Sequence, residues 1–191
     1  MALRAPVVLL AALLLPPQAA QNLGTDLDGH PIRDLAPANA RAVVLFFAAS
    51  DCPISNRYIP EIERLDREFA PRGVTFWWVY PNPSDTAEVV RDHQEQFNLR
   101  GQIILDTAQR ITRIAHATIT PEAALFVPDS SGLREVYLGR IDDRYIALGK
   151  ERPAASTHDL ESAIRSVLNR APVQKPGGPS VGCSIVPLNA Q

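Results

Sequence analysis

The sequence has only two cysteines in 191 residues, Cys52 and Cys183, and they stand far apart. No Cys-x-x-Cys pair exists, so neither a local redox pair nor a cysteine-based metal module is available, and a single cysteine pairing is possible. The four histidines, His30, His93, His116 and His158, fall at no ligand-like spacing, and no metal or other cofactor is expected. No lysine or arginine run stands out, and the net charge is -2, which provides no basic field for phosphate backbones. Nucleic acid is excluded as an expected partner. Internal repeats and low-complexity blocks are also absent, although 17 prolines exceed average usage. What remains, 46% hydrophobic and 21% charged, is enough for one globular core.

The first apolar stretch, Ala5 to Leu15, is too short to span a bilayer, which takes about 20 residues. It follows one arginine and precedes prolines and small residues, the layout of a secretory signal, so 1–20 is read as a signal peptide. Secretion or delivery to a periplasm is expected, with no stable membrane insertion after cleavage. In an oxidising compartment the two cysteines become candidates for a disulfide.

Residues 21–170 read as one domain. TDLDGHPIRDL carries an Asp-Gly turn between two short runs, a hairpin signal. The apolar run from Ala42 to Ala49 suits a buried central strand. Ile54, Tyr58, Ile62, Leu65 and Phe69 then recur at helical spacing behind Pro53, with Ser50 or Asp51 as cap and Pro60 expected to kink the helix. Gly73 ends that helix. VTFWWVY reads as a strand with Trp77 and Trp78 on opposite faces. A helix over 84–98, the strand QIILD, a helix in TAQRITRIAHA, a hairpin in PEAALFVPDSSGLREVYLGRI and an amphipathic, capped helix in THDLESAIRSVLNR complete the domain. These elements predict an α/β fold with a central mixed sheet flanked by helices on both faces. Residues 171–191, rich in proline and glycine and without periodicity, read as a flexible tail carrying Cys183.

Cys52 lies directly after a strand and directly before the helix-initiating Pro53. A cysteine at the first turn of a helix has its thiolate stabilised by free backbone N–H groups and the positive end of the helix dipole. Asp51 opposes that effect, and Arg57 would add to it by folding back. The plainer reading of such a residue is a small buried hydrophobe.

The stretches VVLFFAASDCPISN, VTFWWVYPN, ITPEAALFV and VYLGRIDDRY, in this order, resemble the redoxin or peroxiredoxin-like group of the alkyl hydroperoxide reductase and thiol-specific antioxidant family. The resemblance spans Leu23 to Arg170 and implies a thioredoxin-like fold with Cys52 as redox nucleophile. It implies that Thr120–Pro121 is the cis corner beside that cysteine, where the Thr120 backbone would pair with an extended substrate or with the tail. Two hallmarks depart from the pattern: Ser55 stands where a thioredoxin has its second cysteine, and Ala49 stands where a peroxiredoxin has a peroxide-activating threonine. Cys183 then has two readings. It is a resolving thiol, as tail cysteines are in some peroxiredoxins, or half of a fixed disulfide worth roughly 4 to 5 kcal/mol in the loop-entropy picture.

The expected activity is that of an exported thiol-dependent oxidoreductase, acting on a protein or small-molecule thiol, disulfide or peroxide. Candidate site residues are Cys52, Cys183, Pro121 and Thr120, and Arg140 or Arg144 is a candidate to approach the same end. The alternative is a noncatalytic thioredoxin-fold binding or metal-delivery module. Exported copper-delivery relatives use a second cysteine where Asn56 stands here.

Overall fold

The computed structural model describes residues 22–188, so the signal-peptide reading of 1–20 lies outside the described residues. In chain order the elements are β1 (Gly24–Thr25), β2 (Pro31–Ile32), β3 (Ala42–Phe47), α1 (Pro53–Phe69), β4 (Val74–Tyr80), α2 (Ala87–Phe97), β5 (Gln102–Leu105) and α3 (Arg110–Ile114). They continue with β6 (Ile119–Thr120), β7 (Glu122–Asp129), β8 (Gly132–Gly139), β9 (Tyr145–Ala147), β10 (Lys150–Glu151), α4 (Asp159–Leu168) and β11 (Cys183–Ser184). Seven strands make one mixed sheet in the order β2-β1-β5-β4-β3-β7-β8. Within it β3, β4 and β5 run parallel, while β7 is antiparallel to β3.

Strand β3 reads AVVLFF, and all six residues are buried because both of its faces are covered. Alternate side chains divide between two apolar layers. Ala42, Val44 and Phe46 face a layer built with Tyr58, Ile62 and Leu65 of α1 and Leu160 and Ile164 of α4. Val43, Leu45 and Phe47 face the other layer, where Ile111 of α3 and Ile185 of the C-terminal segment close the sheet. Helices therefore lie on both faces. Trp78 belongs to the first layer and Trp77 packs against the second, the opposed facing expected of neighbours on a strand. Among the described residues no helix is long and apolar enough to cross a membrane.

Helix α1 begins at Pro53 as expected and runs through Pro60 to Phe69. Its cap differs from expectation. Cys52 holds the N-cap position with φ -88° and ψ 109°, and no side chain caps the helix, because the Ser50 hydroxyl is turned to Asp85 instead. Helix α4 is likewise without a side-chain cap: His158 occupies the N-cap and Thr157 donates to Asp159 at 3.0 Å. Gly73, at φ 88°, turns the chain from the short 3-10 segment Ala70–Arg72 into β4.

The segment after α4, expected from its composition to be a flexible tail, is laid over the domain in the structure. Gly177 N–H donates to Asp159, Ser180 Oγ donates to Glu122, and β11 pairs antiparallel with β6. Beyond that pair, Ile185 N–H bonds the Thr118 carbonyl at 3.0 Å, and Val186 N–H bonds Asn82 Oδ1 at 3.0 Å. Backbone pairing supplies an order that side-chain periodicity does not announce.

Candidate functional site

Four residues singled out from the sequence meet at one end of the sheet. The Thr120–Pro121 peptide is cis, and the Cys52 sulfur lies 3.3 Å from the Thr120 carbonyl oxygen. Cys183 stands opposite Thr120 in the β11–β6 pair, and the Thr120 hydroxyl donates to the Cys183 carbonyl at 3.3 Å. The Cys52 and Cys183 sulfurs lie 2.6 Å apart, closer than two unbonded sulfurs pack and longer than a disulfide bond of about 2.05 Å. Cys52 is 0% exposed and Cys183 is partly exposed.

The two thiols are made unequal by their surroundings. Burial opposes ionisation of Cys52, but the Cys183 thiol, the N–H groups of Ser55 and Ile54 at the helix start and the Ser55 hydroxyl together hold it below its ordinary range. Burial, the Cys52 sulfur beside it and the charge of Asp51 push the Cys183 thiol up to about 12. A proton shared between the two sulfurs is therefore held more tightly by Cys183 than by Cys52. Arg57 contributes nothing here, since its guanidinium is exposed and lies 3.5 Å from Glu151.

Ser55 is a functional residue that sequence reasoning noticed only as a missing cysteine. Its hydroxyl is buried and has no partner other than the Cys52 sulfur, whose thiolate form it favours. The signal was its position, one helical turn beyond the N-cap. Asn56 was likewise noted only as a missing cysteine, and His93 only as a histidine at no ligand-like spacing. Asn56 Nδ2 donates to the Ser50 carbonyl at 3.2 Å, and its Oδ1 lies 2.8 Å from His93 Nε2, whose Nδ1 is 3.0 Å from the Tyr80 hydroxyl. Burial holds the His93 imidazole below its usual range, so it is neutral, with Nε2 donating to Asn56 and Nδ1 accepting from Tyr80. Ser50 is gripped from the other side by Asp85, whose Oδ1 accepts from its N–H at 3.1 Å and from its hydroxyl. The loop presenting Cys52 is thus tied to β4 and α2.

Two positions that would bear on peroxide chemistry are placed plainly. Ala49 is buried and has none, and the hydroxyl of adjacent Ser50 is committed to Asp85. Arg140 lines a small cavity with Pro121 and Tyr58 while paired to Asp159 at 3.0 Å. Arg144 donates its N–H to Asp142 and leaves Nε buried without a partner. Glu122, directly after the cis bond, accepts from Thr118 N–H and from Ser180, and burial raises its carboxyl. The structure also gathers His158 with Glu61 and Glu161, which sequence spacing does not suggest, but both carboxylates are engaged by Arg64.

A central mixed sheet, a cysteine at the start of the first long helix and a cis-proline corner facing it define a thioredoxin-like fold. The chain belongs to the AhpC/TSA family, whose model matches residues 17–137. No curated protein matches the sequence. Among solved structures it is similar to an uncharacterized conserved protein from Geobacillus kaustophilus, with 25% identity, a TM-score of 0.68, and coverage of 88% of this chain and 89% of that one. A hypothetical protein from Sinorhizobium meliloti 1021 gives 22% identity and a TM-score of 0.67, covering 87% of this chain and 95% of that one. A secreted Mycobacterium tuberculosis disulfide oxidoreductase shares the fold at 15% identity and a TM-score of 0.50, covering 77% of this chain and 93% of that one.

Proposed function

We propose that the protein is a thiol–disulfide oxidoreductase in which Cys52 is the nucleophile and Cys183 the resolving thiol. The observation that carries this reading is the 2.6 Å approach of the two sulfurs at the start of α1. The Cys52 thiolate attacks a disulfide; the bond between the two partner sulfurs breaks, one partner sulfur leaves as thiolate, and the other is now bonded to Cys52. That step removes the negative charge and the hydrogen-bond acceptor that hold the proton on Cys183. Cys183 becomes easier to deprotonate at the moment it is needed, attacks the Cys52 sulfur and expels the second partner thiolate. The protein ends as the Cys52–Cys183 disulfide and the partner as a dithiol; an external dithiol reverses the sequence.

Disulfides are favoured over peroxides as substrate by the missing hydroxyl at Ala49 and the commitment of Ser50 to Asp85. Stopped-flow oxidation of the reduced protein by a small disulfide and by hydrogen peroxide, with Cys52→Ser as blank, tests the reading. Faster Cys52-dependent reaction with the disulfide supports it. Fast peroxide consumption that vanishes in the variant makes the protein a peroxidase, and absence of any Cys52-dependent reaction leaves a binding module. We place this chemistry outside the cytoplasm on the strength of the leader-like composition of 1–20, which N-terminal sequencing of the exported protein would test.

A further inference from the structure

Gly182, the residue before the second cysteine, is where the C-terminal segment comes closest to the domain. A Cβ built on it lies 2.0 Å from the Thr120 carbonyl oxygen, 2.6 Å from the Thr120 carbonyl carbon and 2.8 Å from Pro121 Cδ. Each obstructing atom is main chain or proline ring, and Thr120 is fully buried between β11 and Cys52, so the obstacle has no flexible tip to yield. Gly177 and Gly178 differ in this respect, because a Cβ there meets the end of the Arg140 side chain, which can move. Nor is Gly182 a conformational requirement, since it is not among the glycines with positive φ. The absence of a side chain at this position is imposed by the edge of β6.

While the segment is docked, Cys52 is wholly covered, and an outside disulfide cannot reach it without taking the segment's place. The edge that would receive such a partner is the one that now receives Gly182-Cys183-Ser184, and the steric demand of the Thr120 carbonyl remains when the occupant changes.

We propose that the β6 edge, where the family resemblance already has an extended substrate pair with Thr120, selects a polypeptide disulfide with a glycine immediately before the reacting cysteine, and that residues 180–186 are its built-in occupant. The inference rests on the thiol–disulfide reading above and adds to it the class of substrate. Cys52 attacks the partner's cysteine sulfur, the partner's own disulfide breaks with its other sulfur leaving as thiolate, and the partner strand lies antiparallel to Ile119–Thr120. Release of that strand from the edge then lets the chain's own segment return and Cys183 complete the exchange.

The test uses the full chain carrying Cys183→Ser, reduced, with two peptides whose cysteine is joined to thionitrobenzoate: PSVGCSIVP, the chain's own sequence, and PSVACSIVP. Free dithiobis(nitrobenzoate) reports whether Cys52 reacts at all. The glycine peptide is expected to release chromophore about tenfold faster than the alanine peptide, because an extra methyl with no room to relax is costly. Adding Gly182→Ala to the protein should displace the built-in occupant and speed the glycine peptide further, with a lower thermal midpoint because Ile185 and the backbone bonds of the segment leave the domain. Equal rates for the two peptides, while the free reagent reacts, overturn the selection and leave the thiol reading intact. Loss of reaction with all three reagents overturns both.

Discussion

The Cys183 sulfur lies 2.6 Å from the Cys52 sulfur, and the Cys183 thiol is one of the groups that lower the pH at which Cys52 ionises. The first prediction follows from that relation. Replacing Cys183 with Ala removes the donor, so the Cys52 thiol should titrate at higher pH than in the unaltered protein. Alkylation rate against pH, with Cys52 identified by peptide mapping, reads the midpoint. A midpoint that stays put would show that the helix start alone sets the acidity of Cys52.

Ser55→Ala isolates the second donor. The hydroxyl is buried and otherwise unpaired, so its removal should cost little stability, under about 1 kcal/mol, since no neutral hydrogen bond is lost. Cys52 should nonetheless titrate at higher pH and alkylate more slowly at neutral pH, while the rate above both midpoints is unchanged. A large drop in thermal stability would mean that Ser55 is structural rather than electrostatic.

The helix that carries these groups was readable from the sequence, and so were most of the strands. AVVLFF and VTFWWVY announce themselves because strands buried on both faces need apolar, β-branched and aromatic residues, and Cys52 followed by Pro53 marks a helix start. The unread parts depend on partners distant in sequence. Asn56 meets His93 across the gap between α1 and α2, and Ser50 meets Asp85 in the loop between β4 and α2. The docked C-terminal segment was opaque for another reason: its order comes from main-chain pairing with β6 and the close approach of Gly182, and neither leaves a hydrophobic period.

Asp85 gives a pH dependence. Burial raises its carboxyl, an effect only partly offset by the bonds from Ser50, and its Oδ2 has no partner. The folded state therefore holds this proton more tightly than the unfolded state does. Its contribution to stability is greatest below the unfolded carboxylate value and declines as pH rises through the folded one. Asp85→Asn, which cannot ionise, should compare best with the unaltered protein at neutral pH and lose that relative advantage as pH falls toward 4. Thermal midpoints of both proteins across that range decide it, and a difference independent of pH would defeat the claim.

The core makes a separate prediction. Leu65 is fully buried between α1 and the sheet, and Leu65→Ala should cost about 2 to 5 kcal/mol by lost transfer energy and a residual cavity. Denaturant unfolding measures this. Because Leu65 stands ten residues beyond Ser55 on α1, about 15 Å along the helix axis, the titration of Cys52 in the folded variant should be unchanged.

Asn56 connects the site to the rest of the domain, and its removal should be felt in both. In Asn56→Ala the His93 Nε2–H and the Ser50 carbonyl each lose a partner in a partly buried setting, and leaving such groups unsatisfied costs about 1 to 3 kcal/mol. The Ser50–Cys52 turn keeps its tie to Asp85 but loses the one to α2, so the sulfur should be presented less uniformly to the N–H groups of Ile54 and Ser55. A double-mutant cycle with His93→Ala separates the two effects. If Asn56 and His93 act through their mutual bond, the stability losses should fall short of additive by about 0.5 to 3 kcal/mol. Strict additivity would mean that Asn56 serves only the Ser50 carbonyl and that the Cys52 loop is tied to the β4–α2 connection through Asp85 alone.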